Sequence, residues 1–195
     1  MANSSKAKGD RNERDAVAFL VATVPDLLVD RPERMLGAGR LDDVGDLRVF
    51  PDVAVQVRAY AKQHLLTGLR SSAVDAAAQA MNGRMPLGLG LVPYPNARAA
   101  TQVRWIATAT VWPDPDVLAR DFGSAASNAV AWVRDDTGPK VAPNPRSRKA
   151  PVVHPDRLGR VAYVHGRGAE PYYLAPVEAW LAVYRKLRAP VHQAA

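Results

Sequence analysis

Between Glu13 and Val24 apolar residues recur at Ala16, Val17, Leu20, Val21 and Val24, in steps of three and four, until Pro25 ends the run. That spacing predicts a helix with one apolar side. Past the Pro- and Gly-containing connection 31–39, where Met35 and Leu36 suggest a short strand, two further runs follow: VGDLRVF (44–50) and VAVQVRAY (53–60), separated by Pro51 and Asp52. In the second run Val53, Val55 and Val57 alternate with Ala54, Gln56 and Arg58, the period of a strand with one apolar face. The pair predicts an antiparallel hairpin. Ser71–Asn82 is Ala-rich, opens on serines that can cap and stops at Gly83, which predicts a second helix. Met85–Val92 and Gln102–Trp112 read as strands around the turn 93–97, so the order to this point is α-β-β-α-β-β.

Beyond Trp112 the pattern weakens. Asp116–Trp132 is helical in part, 135–155 is Pro-rich and basic with little periodicity, and Arg160–His165 reads as a late strand. Val177, Trp180, Leu181, Tyr184 and Leu187 then mark one face of a terminal helix. Residues 1–12 are polar and basic and predict a mobile arm. The expected organisation is an arm (1–12), a core (13–112) and a C-terminal extension (113–195) whose last helix packs on the core. The fold class is α/β (α+β), a mixed central sheet flanked by helices.

Composition narrows the chemistry. The 195 residues contain no cysteine, which removes disulfides, thiol nucleophiles and Cys-based zinc or iron–sulfur centres. The four histidines follow no ligand spacing, and Gly88 and Gly90 lack the pattern of a dinucleotide loop. No apolar stretch approaches the ~20 residues of a membrane span, so no membrane partner and a cytoplasmic location are expected. A net charge of +7 favours a polyanionic partner. Lys6, Lys8, Arg11 and Arg14 near the start, and Lys140, Arg146, Arg148 and Lys149 in the basic loop, are the expected DNA contacts.

The hairpin gathers the reactive residues. With its apex at Pro51, Asp46 and Gln56 are cross-strand neighbours with Cβ atoms ~4.5–5.5 Å apart, and Arg58 lies two residues on along the same face. Glu13, at the start of the first helix, is available as a second carboxylate. Such oxygen ligands suit Mg²⁺ or Mn²⁺, which lowers the pKa of a bound water and stabilises charge on a phosphoryl oxygen.

KGDRNERDAVAFL (8–20), GDL (45–47), VAVQVRAY (53–60) and the Ala-rich helix ending in AQA (78–80) together resemble the Holliday-junction-resolvase branch of the PD-(D/E)XK nucleases, particularly its phage members. The resemblance covers roughly 8–112. It implies a restriction-endonuclease-like mixed sheet, a Mg²⁺- or Mn²⁺-dependent endonuclease acting on branched DNA, and a homodimer. It places the family's helix glutamate on Glu13, its metal-binding aspartate on Asp46, its second-strand carboxylate on Gln56 and its lysine on Arg58. Two positions depart from the family. Gln56 offers an amide oxygen without charge, and Arg58 keeps a cation that does not exchange protons near neutral pH. These departures leave a second expectation open, a non-catalytic descendant acting as a DNA-binding or phage virion structural protein.

Overall fold

The computed structural model describes residues 4–35, 44–94, 105–134 and 158–189. Helix α1 (Ser4–Thr23) buries Ala16 and Leu20, one turn apart, and releases the chain just before Pro25. It begins nine residues earlier than the apolar spacing indicates, so residues 4–12 are helical and not a mobile arm. Ala and Lys are strong helix formers, and Asp10 is tied down by Arg34, which together carry the helix through Gly9.

Strands β1 (Glu33–Arg34), β2 (Leu47–Arg48) and β3 (Val53–Val57) pair antiparallel in sequence, with Arg34 opposite Leu47 and Leu47 opposite Val55. The short first strand falls just before the Met35–Leu36 pair expected to form it. Helix α2 (Leu65–Asn82) then crosses over to β4 (Leu87–Pro93), which lies parallel to β3, with Gln56 opposite Gly90. Its start is also earlier than expected. Leu65, Leu69, Ala73, Ala76 and Ala80 form a single buried stripe, and that burial outweighs the capping preference of Ser71 and Ser72, which sit inside the helix. Strand β5 (Trp105–Ala109) runs antiparallel to β4.

The segment from residue 113 onward continues the same sheet. Strands β6 (Arg120–Asp121), β7 (Ala162–Gly166) and β8 (Ala169–Pro176) complete eight described strands in the order β1-β2-β3-β4-β5-β8-β7-β6, with β8 on β5. The sheet is mixed and open, and its helices make the fold mixed α/β as expected. Helix α3 (Ala126–Arg134) lies between β6 and β7 in sequence, and α4 (Val177–Arg188) follows β8.

Two cores flank the sheet. On one side Ala16 and Leu20 of α1 share a cluster with Val53, Val55, Leu89, Leu91 and the α4 residues Val177, Trp180 and Tyr184. On the other, Leu65, Leu69 and Ala73 of α2 meet Val92, Ile106, Leu174 and the α3 residues Ala129 and Val133. The glycines of β4 face α2 and let it approach closely. A Cβ at Gly88 would lie 2.5 Å from the Ala76 carbonyl oxygen, and one at Gly90 would lie 2.8 Å from that of Ser72. Gly88 and Gly90 therefore serve helix–strand packing.

The tip of the β2–β3 hairpin is clasped by α4. Phe50 sits 5.8 Å from the Trp180 ring and 5.0 Å from that of Tyr184, centroid to centroid. The Tyr184 hydroxyl donates to Asp52 Oδ1 at 2.5 Å, and Arg188 pairs with the same carboxylate. Burial and the bond to Asp52 push the Tyr184 phenol well up, against the pull of Arg188. Burial raises Tyr172 to about 12, against the charge of Arg70.

This sets an alkaline limit on stability. An unfolded tyrosine ionises near pH ~10, while these two folded tyrosines hold their protons beyond it. Stability is then undiminished below pH ~10 and falls as pH rises toward ~12, at about 1.4 kcal/mol per unit for each tyrosine. Urea midpoints measured across that window should drop, and Tyr172→Phe should flatten the drop. A midpoint independent of pH there would contradict it.

Candidate functional site

Asp46 and Gln56 meet as their spacing around Pro51 predicts. Leu47 pairs with Val55, so the next rung outward joins Asp46 to Gln56, and the Asp46 N–H donates to the Val55 carbonyl at 2.8 Å. Gly45 makes this approach possible: its φ is +117°, and a Cβ there would sit 3.0 Å from the Val55 oxygen. Asp46 Oδ2 accepts from Gln56 Nε2 at 2.6 Å and from the Val57 N–H at 2.9 Å. Gln56 is 1% exposed, which makes its satisfied amide a feature of the interior and not of a solvent face.

Helix α2 completes this face of the hairpin. Gln79 Nε2 donates to Gln56 Oε1, and one turn earlier Asp75 pairs with Arg58 at 3.3 Å. The two contacts match by geometry. Four residues of helix advance about 6 Å and two residues of strand about 6.6 Å, so positions 79 and 75 face 56 and 58 across an antiparallel helix and strand. Asp75 and Gln79 were missed from sequence, although polar residues one turn apart in an alanine stripe were the available signal. Arg58 is half exposed and stands at the outer end of the cluster.

Glu13 is placed elsewhere. Arg34 lies opposite Leu47, whose side chain joins the core beneath α1, whereas Asp46 contacts the α2 side of the hairpin. Arg34 Nε donates to Glu13 Oε2 at 2.7 Å, and its Nη2 donates to Asp10 Oδ1 at 2.7 Å. Burial works against the charge of Arg34, but the two carboxylates outweigh it and raise its proton affinity. The four expected site residues thus divide: Asp46, Gln56 and Arg58 share the α2 face, and Glu13 is held by Arg34 on the α1 side of the hairpin. Its carboxylate binds a β1 cation because Asp10 and Glu13 stand three residues apart on one helix side and grip it together.

Of the expected DNA contacts, Arg11 and Arg14 are exposed three residues apart on α1, and Lys6 and Lys8 lie along its first turns. Lys140, Arg146, Arg148 and Lys149 lie outside the described residues.

The donor set decides what cation the face suits. Among the described residues no three His, Asp or Glu side chains gather into a cage. The face offers one carboxylate, Asp46, touching an amide, with a second carboxylate, Asp75, held by Arg58. Mg²⁺ keeps several waters and often takes only one or two protein carboxylates, drawing its remaining oxygens from phosphates. Asp46 with the Gln56 amide therefore fits a Mg²⁺ or Mn²⁺ ion that arrives with a phosphate, and does not fit a cation caged by protein alone. No family model, no curated protein and no solved structure matches the chain. Among the described residues no helix is long and apolar enough to cross a membrane.

Proposed function

We propose that the chain is a metal-dependent DNA endonuclease resembling the Holliday-junction resolvases, cutting phosphodiester bonds in branched DNA. The observation that carries this reading is the in-register contact of Asp46 with Gln56 on a face that also presents Arg58. Asp46 and, through its oxygen, Gln56 would hold Mg²⁺ or Mn²⁺, with Glu13 outside that set. The bound ion supplies Lewis acidity toward a phosphoryl oxygen and a more acidic water. Arg58 orients the phosphate and offsets charge that builds on it, and its bond to Asp75 fixes where the guanidinium stands. The exposed arginines of α1 and the net charge of +7 favour the DNA backbone as partner. Paired cuts at a four-way junction call for a two-fold homodimer.

A second reading, a non-catalytic DNA-binding or virion protein on the same scaffold, is favoured by the pairing of Glu13 with Arg34 and of Arg58 with Asp75. Purified protein incubated with a labelled four-way junction, or with linear duplex of matched sequence, in Mg²⁺, Mn²⁺ or EDTA separates the two. Cleavage of the junction that EDTA abolishes is expected. Binding without cleavage under either metal would select the second reading.

A further inference from the structure

The polar contacts behind Asp46 run in a single direction. A carboxylate only accepts, so Asp46 Oδ2 must face the NH₂ end of the Gln56 amide, and it does so at 2.6 Å. That orientation turns Gln56 Oε1 toward α2, where Gln79 Nε2 donates to it. Each donor thus points toward the carboxylate, and neighbouring bonds of this kind polarise one another. Gln56 and Gln79 are 1% and 3% exposed, so water does not readily replace either contact.

This arrangement is the wrong one for a cation. A divalent ion at Asp46 needs the oxygen of Gln56 beside it, and an NH₂ group there is repulsive. Turning the Gln56 amide over by itself would set its NH₂ against the NH₂ of Gln79. The two amides must therefore turn together. We propose that Gln79 is the positioning residue of the site: its amide holds Gln56 in the donor orientation that satisfies Asp46 without a cation, and its reversal with Gln56 creates the cation-accepting form. This rests on reading Asp46 and Gln56 as the cation site and adds the helix residue that controls its state.

The test is Gln79→Glu, with Mn²⁺ alone as the probe, followed by electron paramagnetic resonance as the component that Asp46→Asn removes. An ionised carboxylate at 79 cannot donate, so Gln56 must give it the NH₂ end and turn its oxygen to Asp46. At about pH 8 the variant should bind Mn²⁺ about tenfold or more tightly than wild type. When protonated, the introduced carboxyl donates to Gln56 Oε1 as the amide does, so the gain should vanish at acid pH. The charged groups facing position 79 are Asp46 from the start of β2, Arg58 beyond β3 and Asp75 on α2; β4 and β5 carry no ionisable residue, and β8 adds Tyr172 on that side.

Should Gln79→Glu fail to fold, Gln79→Met decides. It removes the donor without adding charge, and a few-fold gain in Mn²⁺ affinity without pH dependence is expected. Wild-type Mn²⁺ affinity in the folded variant would overturn the proposal, even if the wild type cleaves junctions. A pH-dependent gain in a protein that never cuts DNA would uphold the amide pair and reject the nuclease reading alone.

Discussion

Replacing Asp46 by asparagine should abolish metal-dependent cleavage while leaving the hairpin folded. Asparagine keeps one oxygen able to accept from Gln56 Nε2 and the Val57 N–H, the two contacts that Asp46 Oδ2 makes. What disappears is the anionic charge that a divalent ion needs, and Asp46 is the carboxylate that touches Gln56. Loss of several kcal/mol of electrostatic stabilisation corresponds to a rate reduction of about a hundredfold or more. Alanine would confuse the result, since an unsatisfied buried amide costs roughly 1–3 kcal/mol in stability. Junction cleavage by Asp46→Asn at the wild-type rate, with contaminating nuclease excluded, would remove Asp46 from the mechanism. Melting temperature measured alongside should hardly move.

Truncation of Trp180 to alanine should cost roughly 4 kcal/mol, within the range for emptying a fully buried tryptophan site. Trp180 is 0% exposed, and its ring stacks on Tyr184 at 5.1 Å as well as packing on Phe50. A loss of that size is a large part of the stability of an ordinary domain. Because Phe50 and Asp52 at the hairpin tip both lean on α4, the damage should reach the strands that carry Asp46 and Gln56. Urea denaturation checks the magnitude, and an unchanged midpoint would show that α4 is dispensable. Trp180→Phe should cost less, since the indole Nε1 has no hydrogen-bond partner among the described residues and its loss gives up no bond.

The contact between Asp46 and Gln56 was legible because hairpin pairing is local: once Pro51 marks the apex, register follows by counting. Glu13 was placed by resemblance alone, and its true partner, Arg34, lies in a two-residue strand whose pairing no periodicity announces. Asp75 and Gln79 escaped because their meeting with Arg58 and Gln56 depends on the crossover through α2 folding back over β3. The start of α2 was hidden by Ser71 and Ser72, whose capping preference is weaker than burial of Leu65 and Leu69. Val177–Arg188 was legible to within a residue or so, because a strong apolar stripe needs no tertiary information. The closing half of the sheet was harder, with β6 only two residues long.

Both margins of the sheet are formed by those two-residue strands, β1 and β6, and each is built from an opposite-charge pair, Glu33 with Arg34 and Arg120 with Asp121. So short and charged a border presents few unpaired backbone groups in line, which discourages another chain from adding itself as a further strand. Self-association by sheet extension, the usual route to fibrous precipitation, is thereby suppressed at either end. A two-fold assembly on a DNA junction must then meet through helices or loops, leaving each protomer's sheet to end where its own chain ends it.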